Sequence, residues 1–171
     1  MISSISQFIA AFLYNLNPHH TASLETQKYA IAMILNTVCT VVIAITISIF
    51  LDKIIPVIII LAAFSILRAV SGGYHFKSGD LCVVVSSITP NLIAFIHLPV
   101  LIIYFMNVVC LLLVLLYAPR NIEYQSNISP RFYPCLKLLS VMIVSINFFV
   151  VSPLLCVTYS LQCISLIKRG D

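Results

Sequence analysis

Tyr29 to Leu51 reads YAIAMILNTVCTVVIAITISIFL, a run of 23 residues without a charged side chain. At a rise of about 1.5 Å per residue, such a run is long enough for one helix that crosses a bilayer. Asp52-Lys53 ends the run, and a second uncharged run from Ile54 to Leu67 follows at once. This second run reaches spanning length only if its helix continues to about residue 71. The sequence therefore predicts two transmembrane helices here, over 29–51 and 54–71.

The composition of the whole chain agrees with a membrane location. Of its 171 residues, 61% are hydrophobic and only 8% are charged, whereas a soluble domain carries about 25% charged residues. Such a chain cannot cover a water-facing surface with polar groups, so we expect an integral membrane protein whose main partner is the lipid bilayer. No linker-like stretch divides it, which predicts a single membrane domain over 1–171. The net charge of +4 is modest and shows no basic stripe, so nucleic acid is not an expected partner.

Two further helices are predicted between Asp80 and Arg120, which enclose 39 residues without a full charge. This length suits two spans, and His97-Leu98-Pro99 is the natural turn between them. The predicted bounds are 81–97 and 99–118.

The two ends of the chain complete the predicted fold. Apolar residues at helical spacing within 1–20 are typical of an amphipathic helix that lies in the membrane interface. Leu138 to Ile167 is a run of 30 uncharged residues broken at Ser152-Pro153. One kinked helix and two short helices, 138–152 and 154–167, both remain open. The expected class is thus an all-α integral membrane protein with an interfacial amino-terminal helix and five to six transmembrane helices, of which six are favoured.

The distribution of cations predicts the orientation. With the amino-terminal region on one side, that same side receives six cations, and the opposite side receives only Lys53. The six are Lys28, Arg68, Lys77, Arg120, Arg131 and Lys137. Because cytoplasmic loops carry the excess of Lys and Arg, the amino-terminal side is predicted to be cytoplasmic. A hairpin over 138–167 would add Lys168 and Arg169 to that side, which is why six spans are favoured.

The segment between the second and third spans carries the residues suited to chemistry. It reads RAVSGGYHFKSGDLC over 68–82 and contains His75 and Cys82. A cysteine nucleophile needs a nearby imidazole to take and return its proton. In one unbroken helix the two residues would lie about 10 Å apart along the axis. Gly72-Gly73 and Ser78-Gly79 let the segment fold back, so His75 and Cys82 are the predicted catalytic pair at the cytoplasmic face.

The start of the next helix contributes to this hypothesis. Asp80 or Ser78 is a plausible N-cap. With Asp80 as the cap, Cys82 falls at the second helical position, where free amides and the helix dipole favour a thiolate. Asp80 is alternatively an orienting partner of His75. Ser86 shares a helical face with Cys82 and is either a hydrogen-bond donor to it or a small packing residue.

The cations of this segment, Arg68 and Lys77, either raise the local positive potential or hold a substrate carboxylate. An arginine at the end of an apolar helix is a functional candidate, although a snorkelling side chain is the alternative. The spacing of His75 and Cys82 is not one that zinc sites use, and no CxxC pair accompanies it. Neither a metal nor another cofactor is therefore predicted.

Arg68, Gly72-Gly73-x-His75 and Cys82 together resemble the signature of the AgrB family, the accessory gene regulator B peptidases of Gram-positive quorum sensing. A second block is similar to a later stretch of that family: Tyr117-Ala118-Pro119 followed by a basic, proline-containing loop that ends at Lys137. Length and hydropathy fit as well, so the resemblance covers nearly the whole chain.

The resemblance implies a membrane cysteine endopeptidase in the cell membrane of a Gram-positive bacterium, which cuts the carboxyl-terminal tail from a small propeptide of the AgrD type. Cys82 would attack the scissile carbonyl, and His75 would act as general base and then acid. A thiol or hydroxyl of the peptide would capture the thioester and close a thiolactone or lactone ring. Arg68 and Gly73 match supporting positions of the family, and a homodimer is left open.

The loop cations Arg120, Arg131 and Lys137, with Lys77, would suit an acidic peptide tail and are the predicted substrate-binding residues. Two other functions fit the same composition. One is a small transporter or permease subunit with Arg68 and His75 along its path, and the other is a non-catalytic membrane scaffold.

Overall fold

The computed structural model describes residues 2–16, 23–73, 78–120 and 129–167. Within these ranges the chain forms seven α-helices and no β-strand, which confirms the all-α class. They are α1 (Ile2–Leu16), α2 (Leu24–Phe50), α3 (Ile54–Ser71), α4 (Gly79–Ile93), α5 (Val100–Tyr117), α6 (Tyr133–Val150) and α7 (Pro153–Ile167), with a short 3-10 turn over Pro130–Phe132 before α6.

Four of these helices, α2, α3, α5 and α6, are long and apolar enough to cross a membrane. The other two apolar helices, α4 and α7, have 15 residues each and are shorter than a typical span. The chain is thus a multi-pass membrane protein. Helix α3 has the bounds that its sequence predicts, whereas α4 ends at Ile93, four residues before the predicted end of its span at residue 97.

The last apolar run is divided into two helices, which settles the alternative that the sequence left open. The Asn147 side chain closes the turn between them: its Oδ1 accepts a hydrogen bond from the Ser152 amide at 2.9 Å, and its Nδ2 donates to the Ser152 carbonyl at 3.2 Å. Val151 reverses the chain with a φ of 51°. Pro153 then begins α7 at a position where its missing amide costs nothing.

Helices α2 and α4 lie side by side and run in the same direction. Near the start of α4, a Cβ atom on Gly79 would lie 3.7 Å from the Asn36 Oδ1. Near the end of α4, Asn91 donates from its Nδ2 to the Ala44 carbonyl at 3.2 Å. The start of α4 is therefore level with the middle of α2 rather than with its beginning.

Helix α1 packs antiparallel to the first half of α2. The Ile2 amide reaches the start of α4, while the Gln7 Oε1 accepts a hydrogen bond from the Lys28 Nζ at 3.2 Å near the start of α2. Ser6 and Ala10 are buried on the inner face of α1, whereas Phe8 is exposed on the outer face. The amphipathic helix predicted within 1–20 thus has the bounds Ile2–Leu16, and residues 17–20 lie outside the described part of the chain.

The ends of α3, α5 and α7 meet at one end of the bundle. The Gly73 amide donates to the Arg120 carbonyl at 3.0 Å, and the Arg120 amide donates to the Ser71 carbonyl at 3.0 Å. The Arg120 Nη1 donates to the Leu166 carbonyl at 3.1 Å, near the last residue of α7. Below this junction Leu67, Val114 and Val144 belong to one buried cluster that joins α3, α5, α6 and α7. The predicted site lies at this end.

Candidate active site at the start of α4

Cys82 lies in the first turn of α4, and Ser78 caps that helix. The Ser78 Oγ accepts a hydrogen bond from the Leu81 amide at 3.4 Å, and the Ser78 carbonyl accepts one from the Cys82 amide at 3.1 Å. The sequence allowed two N-caps for this helix, and the prediction of Asp80 as the cap is wrong. Cys82 therefore occupies the fourth helical position rather than the second. The Ser78 hydroxyl caps the helix two residues earlier, while the Asp80 carboxylate bonds the Ile2 amide instead. The helix dipole still favours a thiolate there, but less strongly, because its effect falls off within the first turn.

Asp80 docks α1 against the start of α4. Its Oδ1 accepts a hydrogen bond from the Ile2 amide at 3.2 Å. The pKa of this carboxyl is lowered, because hydrogen bonding, including that from the Ile2 amide, favours its ionised form. The predicted second role of Asp80, as an orienting partner of His75, stays a prediction.

Ser86 and Arg68 both lie near the Cys82 thiol. The Cys82 Sγ is 3.9 Å from the Ser86 Oγ, one turn further along α4. The Arg68 guanidinium is close enough to Cys82 for their charges to interact, and it also lies over the Phe64 ring at 5.6 Å. All three polar residues are half-buried. The structure thus places a thiol and a hydroxyl one turn apart on α4, within electrostatic range of a guanidinium of α3.

His75 and Lys77 fall within residues 74–77, which lie outside the described part of the chain. The pairing of His75 with Cys82 and the role of Lys77 in substrate binding therefore stay predictions. Both residues belong to a connection of four residues between Gly73 and Ser78, and each end of that connection lies beside the site.

Gly73 is a position that only glycine fits. Its φ is 126°, a conformation that residues with side chains rarely adopt. A Cβ atom there would lie 2.6 Å from the Ser165 Oγ and 3.2 Å from the Gln162 Nε2, both on α7. The second glycine of the signature block therefore lets the chain pass closely over α7 as it leaves α3 towards the predicted histidine.

The three loop cations have different surroundings. The Arg120 guanidinium lies over the Tyr117 ring at 5.4 Å and donates to the Leu166 carbonyl at the end of α7. These contacts hold the end of α5 against α7. Arg131 is exposed in the 3-10 turn, and Lys137 is half-buried one turn into α6. A substrate-binding role for the three stays a prediction.

The sequence profile of the family described as accessory gene regulator B, AgrB, matches residues 5–167. The chain belongs to the AgrB family. Membership makes it a membrane protein of agr quorum sensing that takes part in autoinducer processing, and it implies a propeptide of the AgrD type as substrate. Neither a search of curated proteins nor a search of solved structures found a match.

Gln162 belongs to the site end of this AgrB protein, and the sequence interpretation missed it. Its side chain is fully buried in α7. The Nε2 donates to the Ser71 Oγ at 3.0 Å and to the Gly72 carbonyl at 2.6 Å, and the Oε1 accepts from the Arg68 Nη1 at 3.4 Å. The available signal was the amide itself, because an amide within an apolar membrane helix must find polar partners.

Proposed function

We propose that this AgrB chain is a membrane-embedded cysteine endopeptidase that removes the carboxyl-terminal tail of an AgrD-type propeptide. The observation that carries the proposal is the position of Cys82. This half-buried thiol lies in the first turn of a helix, beside Arg68 and Ser86. A helix amino terminus and a nearby cation are the surroundings that favour a thiolate nucleophile.

The first step is acyl transfer to the enzyme. The Cys82 Sγ attacks the carbonyl carbon of the scissile peptide bond while His75 takes the thiol proton. The carbon–nitrogen bond then breaks, and His75 returns the proton to the leaving amine of the tail. The products of this step are the free tail and a thioester between Cys82 and the new carboxyl end of the propeptide.

The second step closes the ring. A thiol or hydroxyl within the bound peptide attacks the thioester carbonyl and loses its proton to His75, and the Cys82 thiolate leaves. The thioester conserves the activation of the acyl group, so a thiolactone or lactone forms without ATP. Water competes for the same carbonyl, and the apolar bundle beside Cys82 supports ring closure by limiting its access.

The site belongs at the cytoplasmic face of a Gram-positive cell membrane. The excess of cations on the amino-terminal side supports this orientation. A Cys/His pair on that side meets a propeptide where it is made. The exposed Arg131 and the half-buried Lys137 are then available to an acidic tail, and a homodimer is compatible with the proposal.

The proposal is tested by co-expressing the chain with an AgrD-type propeptide and following the peptide's mass. Cys82→Ser and His75→Ala should each leave the precursor uncut while the protein still inserts into the membrane. Cys135→Ser removes an exposed cysteine of α6 and serves as the matched control with normal cleavage. Cleavage that persists in Cys82→Ala would exclude the mechanism and favour a transporter or scaffold role.

A further inference from the structure

Gln162 is a buried amide that the proposed reaction does not use. It lies in the second half of α7, and its side chain is fully buried. A buried amide costs about 1–3 kcal/mol when its polar atoms lack partners. Both ends of this amide have partners: the nitrogen bonds two groups at the end of α3, and the oxygen bonds one group on α3 and one on α7.

The nitrogen end of the amide fastens the chain as it leaves α3. The Gln162 Nε2 donates to the Ser71 Oγ and to the Gly72 carbonyl, at 3.0 Å and 2.6 Å. These contacts hold the end of α3 on α7 and place Gly73 directly over the same helix. The Nε2 of Gln162 therefore has a structural role.

The oxygen end of the amide faces the charged group of the site. The Gln162 Oε1 accepts hydrogen bonds from the Arg68 Nη1 and from the Ser165 Oγ, each at 3.4 Å. The Phe64 ring packs against the guanidinium, with 5.6 Å to its centroid. Arginine has many rotamers, and a contact to a fixed acceptor reduces the number that the guanidinium occupies.

The geometry points to Gln162 as a positioning residue of the acyl-transfer site: its Oε1 holds the Arg68 guanidinium towards Cys82, so that the positive charge stabilises the attacking thiolate. This inference rests on the proposed function. The two ends of the amide make this role separable from a purely structural one, because Ser71→Ala removes a partner of the nitrogen and leaves the oxygen that faces Arg68.

The experiment measures the rate at which Cys82 is alkylated by iodoacetamide at neutral pH. The full chain is held in lipid nanodiscs, and the modified cysteine is identified by peptide mass spectrometry. Gln162→Met should lower the rate about tenfold, the effect of a lost hydrogen bond to a charged group. Ser71→Ala removes one partner of the Gln162 Nε2 and leaves the acceptor of Arg68 in place, so its rate should stay within about threefold of that of the unchanged protein. Thr158→Val is the matched control: Thr158 is also buried in α7, but its hydroxyl bonds only the Leu154 carbonyl of its own helix among the contacts described, and its rate should not change.

A double-variant comparison shows whether Gln162 affects Cys82 by positioning Arg68 or only by holding the end of α3 on α7. Arg68→Met should lower the rate by itself, and adding Gln162→Met to it should cause no further fall, because Gln162 acts through Arg68. A further fall by the same factor, or a Ser71→Ala rate as low as that of Gln162→Met, would overturn the inference and leave the peptidase proposal intact. A Cys82 rate that is already unaffected by Arg68→Met and His75→Ala would overturn both. Should Gln162→Met fail to fold, as seen by thermal unfolding, the Ser71→Ala rate still decides, since a tenfold fall there would show that the contacts of the Gln162 nitrogen control the reactivity of Cys82.

Discussion

Gly73 carries two constraints at once, a φ of 126° and a close approach to α7. We predict that Gly73→Ala lowers the free energy of unfolding by about 1–3 kcal/mol, because the backbone is strained and the new methyl group meets the Ser165 Oγ. Thermal unfolding in detergent measures this. Adding Ser165→Ala should restore part of the loss, since it removes the nearest atom.

Gly79 provides the matched control for this substitution. It lies in the first turn of α4, and the atoms nearest to a new Cβ are 3.7 Å away or more. Gly79→Ala should therefore not lower the free energy of unfolding, because alanine is the better helix former. Equal losses at Gly73 and Gly79 would contradict the strain argument.

The residues of the site differ in how far the sequence could predict them. Cys82, Ser86 and Arg68 are recognisable from residue type and spacing, and the structure places them close together. Gln162 was not recognisable, because its contact to Arg68 joins residues 94 positions apart in the chain. Spacing within one helix is visible in a sequence, whereas the pairing of faces between distant helices depends on packing.

The turn between α6 and α7 contains a valine in a left-handed conformation, Val151 with a φ of 51°. A β-branched residue is strained there, and glycine is the residue that such a helix end favours. We predict that Val151→Gly raises the free energy of unfolding by about 1 kcal/mol. Val150→Gly, one residue earlier and still helical, should lower it by about 1 kcal/mol. A loss of stability in both variants, measured by thermal unfolding, would contradict this interpretation.

Arg120 joins three helices through its backbone and its guanidinium. Arg120→Ala removes the hydrogen bond to the Leu166 carbonyl and the contact with the Tyr117 ring. We predict a loss of about 2 kcal/mol in the free energy of unfolding, as expected for a hydrogen bond to a charged group. Arg131→Ala, which changes an exposed arginine, should alter it by less than about 0.5 kcal/mol. If both variants unfold at the same temperature, the fastening role of Arg120 is wrong.

Helix bounds were predictable where charge or proline ends an apolar run. The bounds of α3 follow from Lys53 and from the glycines after Ser71, and the break before α7 follows from Pro153. The end of α4 was predicted too late, at residue 97, because the apolar residues after Ile93 continue the hydropathy pattern without continuing the helix. The cap of α4 was ambiguous because Ser78 and Asp80 are both good capping residues.

At the scale of the whole molecule, the junction of Gly72, Arg120 and Leu166 brings the ends of α3, α5 and α7 to one end of the bundle. Two helices, α4 and α5, separate the end of α3 from the end of α5, and two more, α6 and α7, separate the end of α5 from the end of α7. The turn between α6 and α7 lies at the other end of the bundle. The six-span arrangement that charge favours, in which both chain ends share a side, stays a prediction, and this orientation is part of the proposal.

The orientation is checked with a membrane-impermeant maleimide. Cys135 is exposed in the first turn of α6 and should be labelled in inside-out vesicles but not in intact cells. Lys53→Cys, in the turn between α2 and α3, should show the opposite pattern in a variant that lacks Cys135. Labelling of both positions from the same side would contradict the arrangement.

The most direct measurement of the central claim is the mass of the covalent intermediate. The purified chain in nanodiscs is incubated with an AgrD-type propeptide whose ring-forming Cys or Ser is replaced by Ala, so that the thioester cannot be captured. The proposed mechanism predicts release of the tail and a protein mass raised by that of the remaining peptide, attached at Cys82 and removed by hydroxylamine. Release of the tail with no adduct at Cys82, or an unchanged adduct in Cys82→Ala, would contradict it.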